Sequence, residues 1–132
     1  NGINYMKMIV DYALTGKMDD HDLSKDNAEL NQYCCIFNMS AHGGVISKME
    51  GLERCKEIPG VVHAEFLLTE GDTVIDNNSM AQSVFRAQIN VPDLLTMKST
   101  IKLIQKIIKV IDSDGNDMLF KSFDVERLKE TL

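Results

Sequence analysis

The chain of 132 residues is 44% hydrophobic and 26% charged, with a formal net charge of −6. That length fits one domain with one modest core. The acidic balance argues against a nucleic-acid partner, whose electrostatic footprint is basic, and no apolar run is long enough to span a membrane.

Residues from about Asn4 to Thr15 read as a helix, because Tyr5, Met6, Ile9, Tyr12 and Ala13 recur at helical spacing. Gly16 is its expected C-cap. The acidic stretch 18–30 lacks apolar periodicity and reads as a surface loop separating two structural units. The expected division is therefore a leading helix over 1–17, the loop over 18–30, and an α+β domain over 31–132.

The period then changes to two. Tyr33, Cys35, Phe37 and Met39 alternate with Cys34, Ile36 and Asn38, as in a well-buried strand. Ser40 to Gly44 reads as the turn of a hairpin and Val45 to Met49 as the returning strand, with the double glycine Gly43-Gly44 supplying the turn's positive φ. Gly51 to Ile58 reads as a short helix, its Leu52, Cys55 and Ile58 on one face, stopped by Pro59-Gly60. Val61 to Leu68 reads as a strand with Val62, Ala64, Phe66 and Leu68 on the core side. Thr73 to Ile75 has enough β character for a brief pairing. Ser83 to Ile89 is the clearest strand. Pro92 and Asp93 open a helix whose stripe Leu94, Met97, Ile101, Ile104, Ile108 and Ile111 takes it to about Ile111. Met118 to Phe123 reads as a last strand and Val125 to Leu132 as a terminal helical turn or two. The expected class is α+β: an antiparallel sheet of about five strands, two main helices on one face, and an N-terminal helix.

Each chemical motif has a plain structural reading beside it. Lys98, Lys102, Lys106 and Lys109 sit three or four apart, and without interleaved aromatics they read as a solvated helix face. Cys34, Cys35 and Cys55 are odd in number, and adjacent Cys34 and Cys35 point to opposite faces of a strand. All three read as reduced core residues of a cytosolic protein. The first residues lack the arrangement of a secretory leader. Hence Asn38-Met39-Ser40 and Asn77-Asn78-Ser79 read as chance matches to the glycosylation pattern, and a cytoplasmic location is expected. The run 112–117 resembles half of a calcium loop, but Gly115 comes early and Phe123 stands where the twelfth-position glutamate belongs. His21, His42 and His63 are scattered, so no metal site is expected. No nucleophile elbow or phosphate-binding glycine pattern occurs. His63 and Glu65 share a strand face without a nucleophile, and the eight methionines read mostly as packing residues. No catalytic residue emerges. The turn carrying His42, Gly43 and Gly44 is the one candidate for touching a substrate.

The stretch GGVISKMEGLERCKEIPGVVHAEFLLTEGDTV, followed by SVFRAQI and a long helix, resembles the C-terminal domain of ATP-grasp ligases. Amino-acid ligases and the carbamoyl-phosphate-synthase-like and biotin-carboxylase-like members are the nearest in pattern. Gly51, Leu52, Glu53, Pro59, Gly60 and Val61 match the family's helix-and-turn motif, with Arg54 and Cys55 in place of its usual Glu and Ala. Gly71, Asp72 and Val74 match its G-D-x-V turn. NYMKMIVDYALTGK, ending in Gly16 and Lys17, resembles the helix that follows the family's ATP site. The likeness runs from Asn4 to about Ile111.

The resemblance implies a parent enzyme that joins a carboxylate to an amine through an acyl-phosphate made from ATP with Mg2+. The family's metal-binding Glu and Asn and neighbouring Arg precede the first helix, ahead of Asn1. The chain is thus expected to be an inactive C-terminal piece, with no cofactor of its own, that buttresses an upstream ATP-grasp domain of the same protein and borders its substrate pocket through the Ser40 to Gly44 turn. The other reading is a small ferredoxin-like ligand-binding or dimerisation module with no enzymatic activity, since "I-P-G-V" before a strand occurs there too. The metal-carrying version of that module needs a paired-cysteine loop that the sequence lacks. A homodimer is compatible with either reading.

Overall fold

The computed structural model describes residues 4–17, 32–120 and 123–129. They divide into two units, 1–31 and 32–132. The expected acidic loop over 18–30 lies outside the described residues.

In the first unit, helix α1 spans Tyr5–Thr15. Asn4 caps it, its side-chain oxygen accepting from Lys7 N at 2.9 Å, and left-handed Gly16 closes it by donating to Tyr12 O. Its apolar residues are largely exposed, with Met6 at 71% and Leu14 at 79%.

The second unit runs β1 (Tyr33–Ser40), β2 (Gly44–Glu50), α2 (Leu52–Lys56), β3 (Val61–Phe66), β4 (Thr73–Val74), β5 (Ser83–Val91), α3 (Leu94–Ile107) and β6 (Lys109–Asp112). The class is α+β and the strand pairs are antiparallel. The strands form two three-stranded sheets, in the orders β1-β5-β3 and β4-β2-β6. The expected hairpin is therefore absent: β1 pairs with β5, and β2 with β4 and β6. Burial gives the reason. Phe37 and Met39 of β1 enter a core with Phe85, Ala87 and Ile89 of β5, while Ile46 of β2 enters a separate core with Val74, Val84, Val110 and Met118. One hairpin could not send its two strands into two cores.

Helices α2 and α3 cover one face of β1-β5-β3. Cys55, Ile58, Met97, Ile101, Ile104 and Ile108 share the core of that sheet, so the short-helix face and most of the long-helix stripe are as expected. Asp93 caps α3, its carboxylate accepting from Thr96 N at 2.7 Å and Thr96 Oγ1 at 3.0 Å. Those bonds hold the Asp93 carboxyl below its ordinary range.

The structure corrects four further expectations. Helix α3 stops at Ile107, not near Ile111, because Ile108 turns extended and β6 pairs with β2 to place Val110 in the second core. Residues 118–120 make a bridge and a tie rather than a strand. Met118 N donates to Val110 O, while His42 N donates to Met118 O and Phe120 N to Ser40 O. Residues 121–122 are outside the described set, and a 3-10 turn follows over Val125–Arg127. In β3 a bulge between Val61 and His63 shifts the register, so Val61 packs on the core and Val62 is 68% exposed. Cys34 is exposed, whereas Cys35 is half-buried and Cys55 fully buried, and burial raises both of the latter thiols.

No helix among the described residues is long and apolar enough to cross a membrane.

Candidate functional site at the crossover between the sheets

Residues 41–44 carry the chain from the end of β1 to the start of β2. Gly43 is favoured there by proximity: a Cβ on it would lie 3.0 Å from Asp76 Cβ and 3.1 Å from Asp76 N, so the neighbour would have to give way. The crossover is thus pressed against the segment that follows β4, and its glycine serves close approach instead of a hairpin tip.

Gln82, 1% exposed, holds this arrangement. Its Nε2 donates to Ala41 O at 3.1 Å and to Asp76 Oδ1 at 3.0 Å. Gln82 is itself placed by a 3-10 turn over Met80–Gln82, capped by Ser79, whose hydroxyl accepts from Ala81 N at 3.2 Å. Neither Gln82 nor Asp76 figures in the sequence reading. The S-x-x-Q spacing at 79–82, a helix-start signature, was the available signal.

The structure gathers His42, Gly43 and Gly44 on this crossover. The His42 ring stands edge-on to Phe120 with centroids 4.3 Å apart, and its side chain has no ion-pair partner among the described residues. An exposed imidazole of this kind can donate or accept one hydrogen bond toward a ligand. Among the described residues no hydrogen bond or ion pair ties it to an acid or a nucleophile.

The other motifs resolve into structural roles. Lys98 and Lys102 both reach Glu126 at 3.1 Å, and together they hold the Glu126 carboxyl below its ordinary range. Lys109 lies on β6 and pairs with Asp117 at 2.8 Å, so the four lysines do not form one helix face. In the run 112–117, Asp112 folds back on its own turn. Its Oδ1 accepts from Asn116 N at 2.8 Å and Asp114 N at 2.9 Å, which lowers its pKa, the Asn116 amide being the largest cause. No group of three metal-ligating side chains converges among the described residues. His63 Nε2 and Glu65 Oε2 lie 3.6 Å apart on the exposed side of β3.

A cavity of about 940 Å³ forms an open groove away from the crossover. It runs along β3 and is lined by Val62 to Phe66 together with Met49, Leu52, Lys56 and Leu68 to Glu70.

No family model and no curated protein sequence matches the chain. Among solved structures it is similar to the crystal structure of an L-amino acid ligase from Bacillus licheniformis, with a TM-score of 0.64 at 15% identity. The match covers 85% of this chain and 27% of that one. At this identity the likeness is one of fold alone. The chain spans about a quarter of the ligase's length.

Proposed function

We propose that the chain is the C-terminal, catalytically incomplete part of an ATP-dependent carboxylate–amine ligase. The observation that carries this reading is the fold likeness of 85% of the chain to 27% of an L-amino acid ligase. The residue pattern from Gly51 to Val74 points to the same family independently of the coordinates. In this reading the unit over 32–132 buttresses an upstream nucleotide-binding domain. Helix α1 supports it: a helix with Tyr5, Met6, Ile9, Val10, Tyr12 and Leu14 exposed has apolar surface for a neighbouring domain to cover.

Among the described residues no group of three metal-ligating side chains converges. ATP and Mg2+ belong, in this proposal, to the upstream domain, as do the small carboxylate and amine substrates. The role left to this chain is to border the substrate pocket. The clamp of Gln82 on Ala41 and Asp76 fixes the crossover, so that His42 could orient a polar substrate group without taking part in bond making.

Two measurements test the proposal. Phosphate release from ATP with Mg2+ and mixed amino acids should be at background for this chain and should appear for the polypeptide encoded with its upstream sequence. Turnover by this chain alone would remove the claim of incompleteness. An upstream reading frame encoding no ATP-grasp domain would remove the ligase assignment.

A further inference from the structure

Strand β3 is an edge of its sheet: among the described residues it pairs with β5 alone. Its hydrogen-bond phase is set by Leu67 N donating to Val84 O at 2.9 Å. Antiparallel alternation then turns the backbone groups of His63 and Glu65 toward β5 and those of Ala64 and Phe66 toward the free edge. The open groove of about 940 Å³ follows this edge. Proteins usually blunt such an edge with proline, charged side chains or a bulge, or cover it. The six residues of β3, VVHAEF, contain no proline or lysine, and the bulge between Val61 and His63 leaves His63 to Phe66 in regular register with β5.

We propose that β3 is a self-pairing edge and that its partner is the β3 strand of a second copy of this chain. Side-chain hydrogen bonding selects the register. With the two-fold axis at Ala64, whose N–H and C=O face outward, the two Ala64 residues exchange hydrogen bonds. His63 of each copy then stands opposite Glu65 of the other, in the closely spaced, non-hydrogen-bonded type of pair. His63 and Glu65 are 53% and 43% exposed, on one face and 3.6 Å apart, so the dimer closes a ring of alternating imidazole and carboxylate groups. An axis at Glu65 would oppose like charges, and one at His63 would leave Glu65 opposite Val61. Hydrogen-bond complementarity between imidazole and carboxylate thus singles out the axis at Ala64. The product is a continuous six-stranded antiparallel sheet with closed two-fold symmetry. The ends of the pairing cover apolar Val62, Leu52 and Met49 along the groove.

Sedimentation and light scattering of this chain over a concentration series test the dimer. Expected are twice the chain mass at high concentration, monomer for His63→Glu, and restored dimer for the swapped variant His63→Glu/Glu65→His. Circular dichroism of each variant confirms folding. As a second probe Glu65→Lys, which removes the carboxylate that faces His63 of the other copy, should also be monomeric. A wild-type monomer at every concentration overturns the proposal. So does a dimer unaffected by His63→Glu, because association would then use another surface. A dimer lost in His63→Glu but not regained in the swap overturns the register at Ala64.

Discussion

Gln82 Nε2 donates to Ala41 O at 3.1 Å across a sequence separation of 41 residues, inside the protein. One buried amide thereby ties the turn before β5 to the crossover after β1. Removing the donor leaves the Ala41 carbonyl short of a partner in a site closed to water. Gln82→Leu should cost about 1–3 kcal/mol, read as a fall in the urea midpoint at unchanged slope. Gln82→Glu should cost more at neutral pH, because it sets a carboxylate against the Ala41 carbonyl and Asp76 with no proton to share.

Gly51 joins β2 to α2 at φ +96, and a Cβ there would lie 2.8 Å from the carbonyl carbon of Ile107 at the end of α3. Strain and overlap act together, and the obstacle is backbone that cannot rotate away. Gly51→Ala should therefore cost about 3 kcal/mol or more. Gly71 has a similar φ of +95 with nothing within 4 Å. Gly71→Ala isolates the conformational part and should cost only about 1–2 kcal/mol. Thermal melts of the pair separate crowding from strain.

Acid should destabilise the fold through Asp93, Asp112 and Glu126. All three carboxyls are depressed below ordinary values of 3.8, 3.8 and 4.5. A group held lower in the folded chain contributes stability that is complete above its unfolded value and is lost as pH falls through the folded one. The urea midpoint should be flat from about pH 7 to about pH 5 and drop steadily below about pH 4. Asp112→Asn should lower the midpoint at neutral pH and make the acid limb shallower.

How much of this was legible beforehand depended on the range of the interaction. Local signals carried the cap at Gly16, the start of α3 at Asp93, the face of α2 and the alternation of β5, because each arises within a few residues. Strand partners did not follow. Phe37 and Ile46 look alike in sequence, and nothing local says that they enter different cores. Ile108 and Ile111 satisfied helical spacing while Ile108 and Val110 equally satisfied a period of two, and tertiary pairing with β2 decided between them. At the candidate site His42, Gly43 and Gly44 were visible as a turn, but the clamp from Gln82 is a contact between residues 41 apart, beyond any window of periodicity.

Thiol labelling should separate the three cysteines. Cys34 is exposed, Cys35 is half-buried and Cys55 is buried, and burial raises the last two thiols. Since the thiolate is the reactive form, Cys34 should react first in native conditions, Cys35 more slowly, and Cys55 only as the chain unfolds. Mass mapping after a short exposure to a thiol reagent reads the order. Early modification of Cys55 would mean that α2 opens independently of the core beneath it.

The bulge in β3 makes neighbouring valines unequal. Simple alternation from Ala64 and Phe66 puts Val62 in the core and Val61 outside. The register shift between Val61 and His63 reverses this, pairing Val61 with Ile89 and leaving Val62 68% exposed. Val62→Ser should change stability by no more than about 0.5 kcal/mol, whereas Val61→Ala should cost about 1–2 kcal/mol through lost core contact. Denaturation at low chain concentration keeps any association along β3 out of the comparison. If Val62→Ser proved the costlier change, the strand would be unbulged. His63 and Glu65 lie on the C-terminal side of the shift and would keep their register with β5, so this outcome would revise the start of β3 alone.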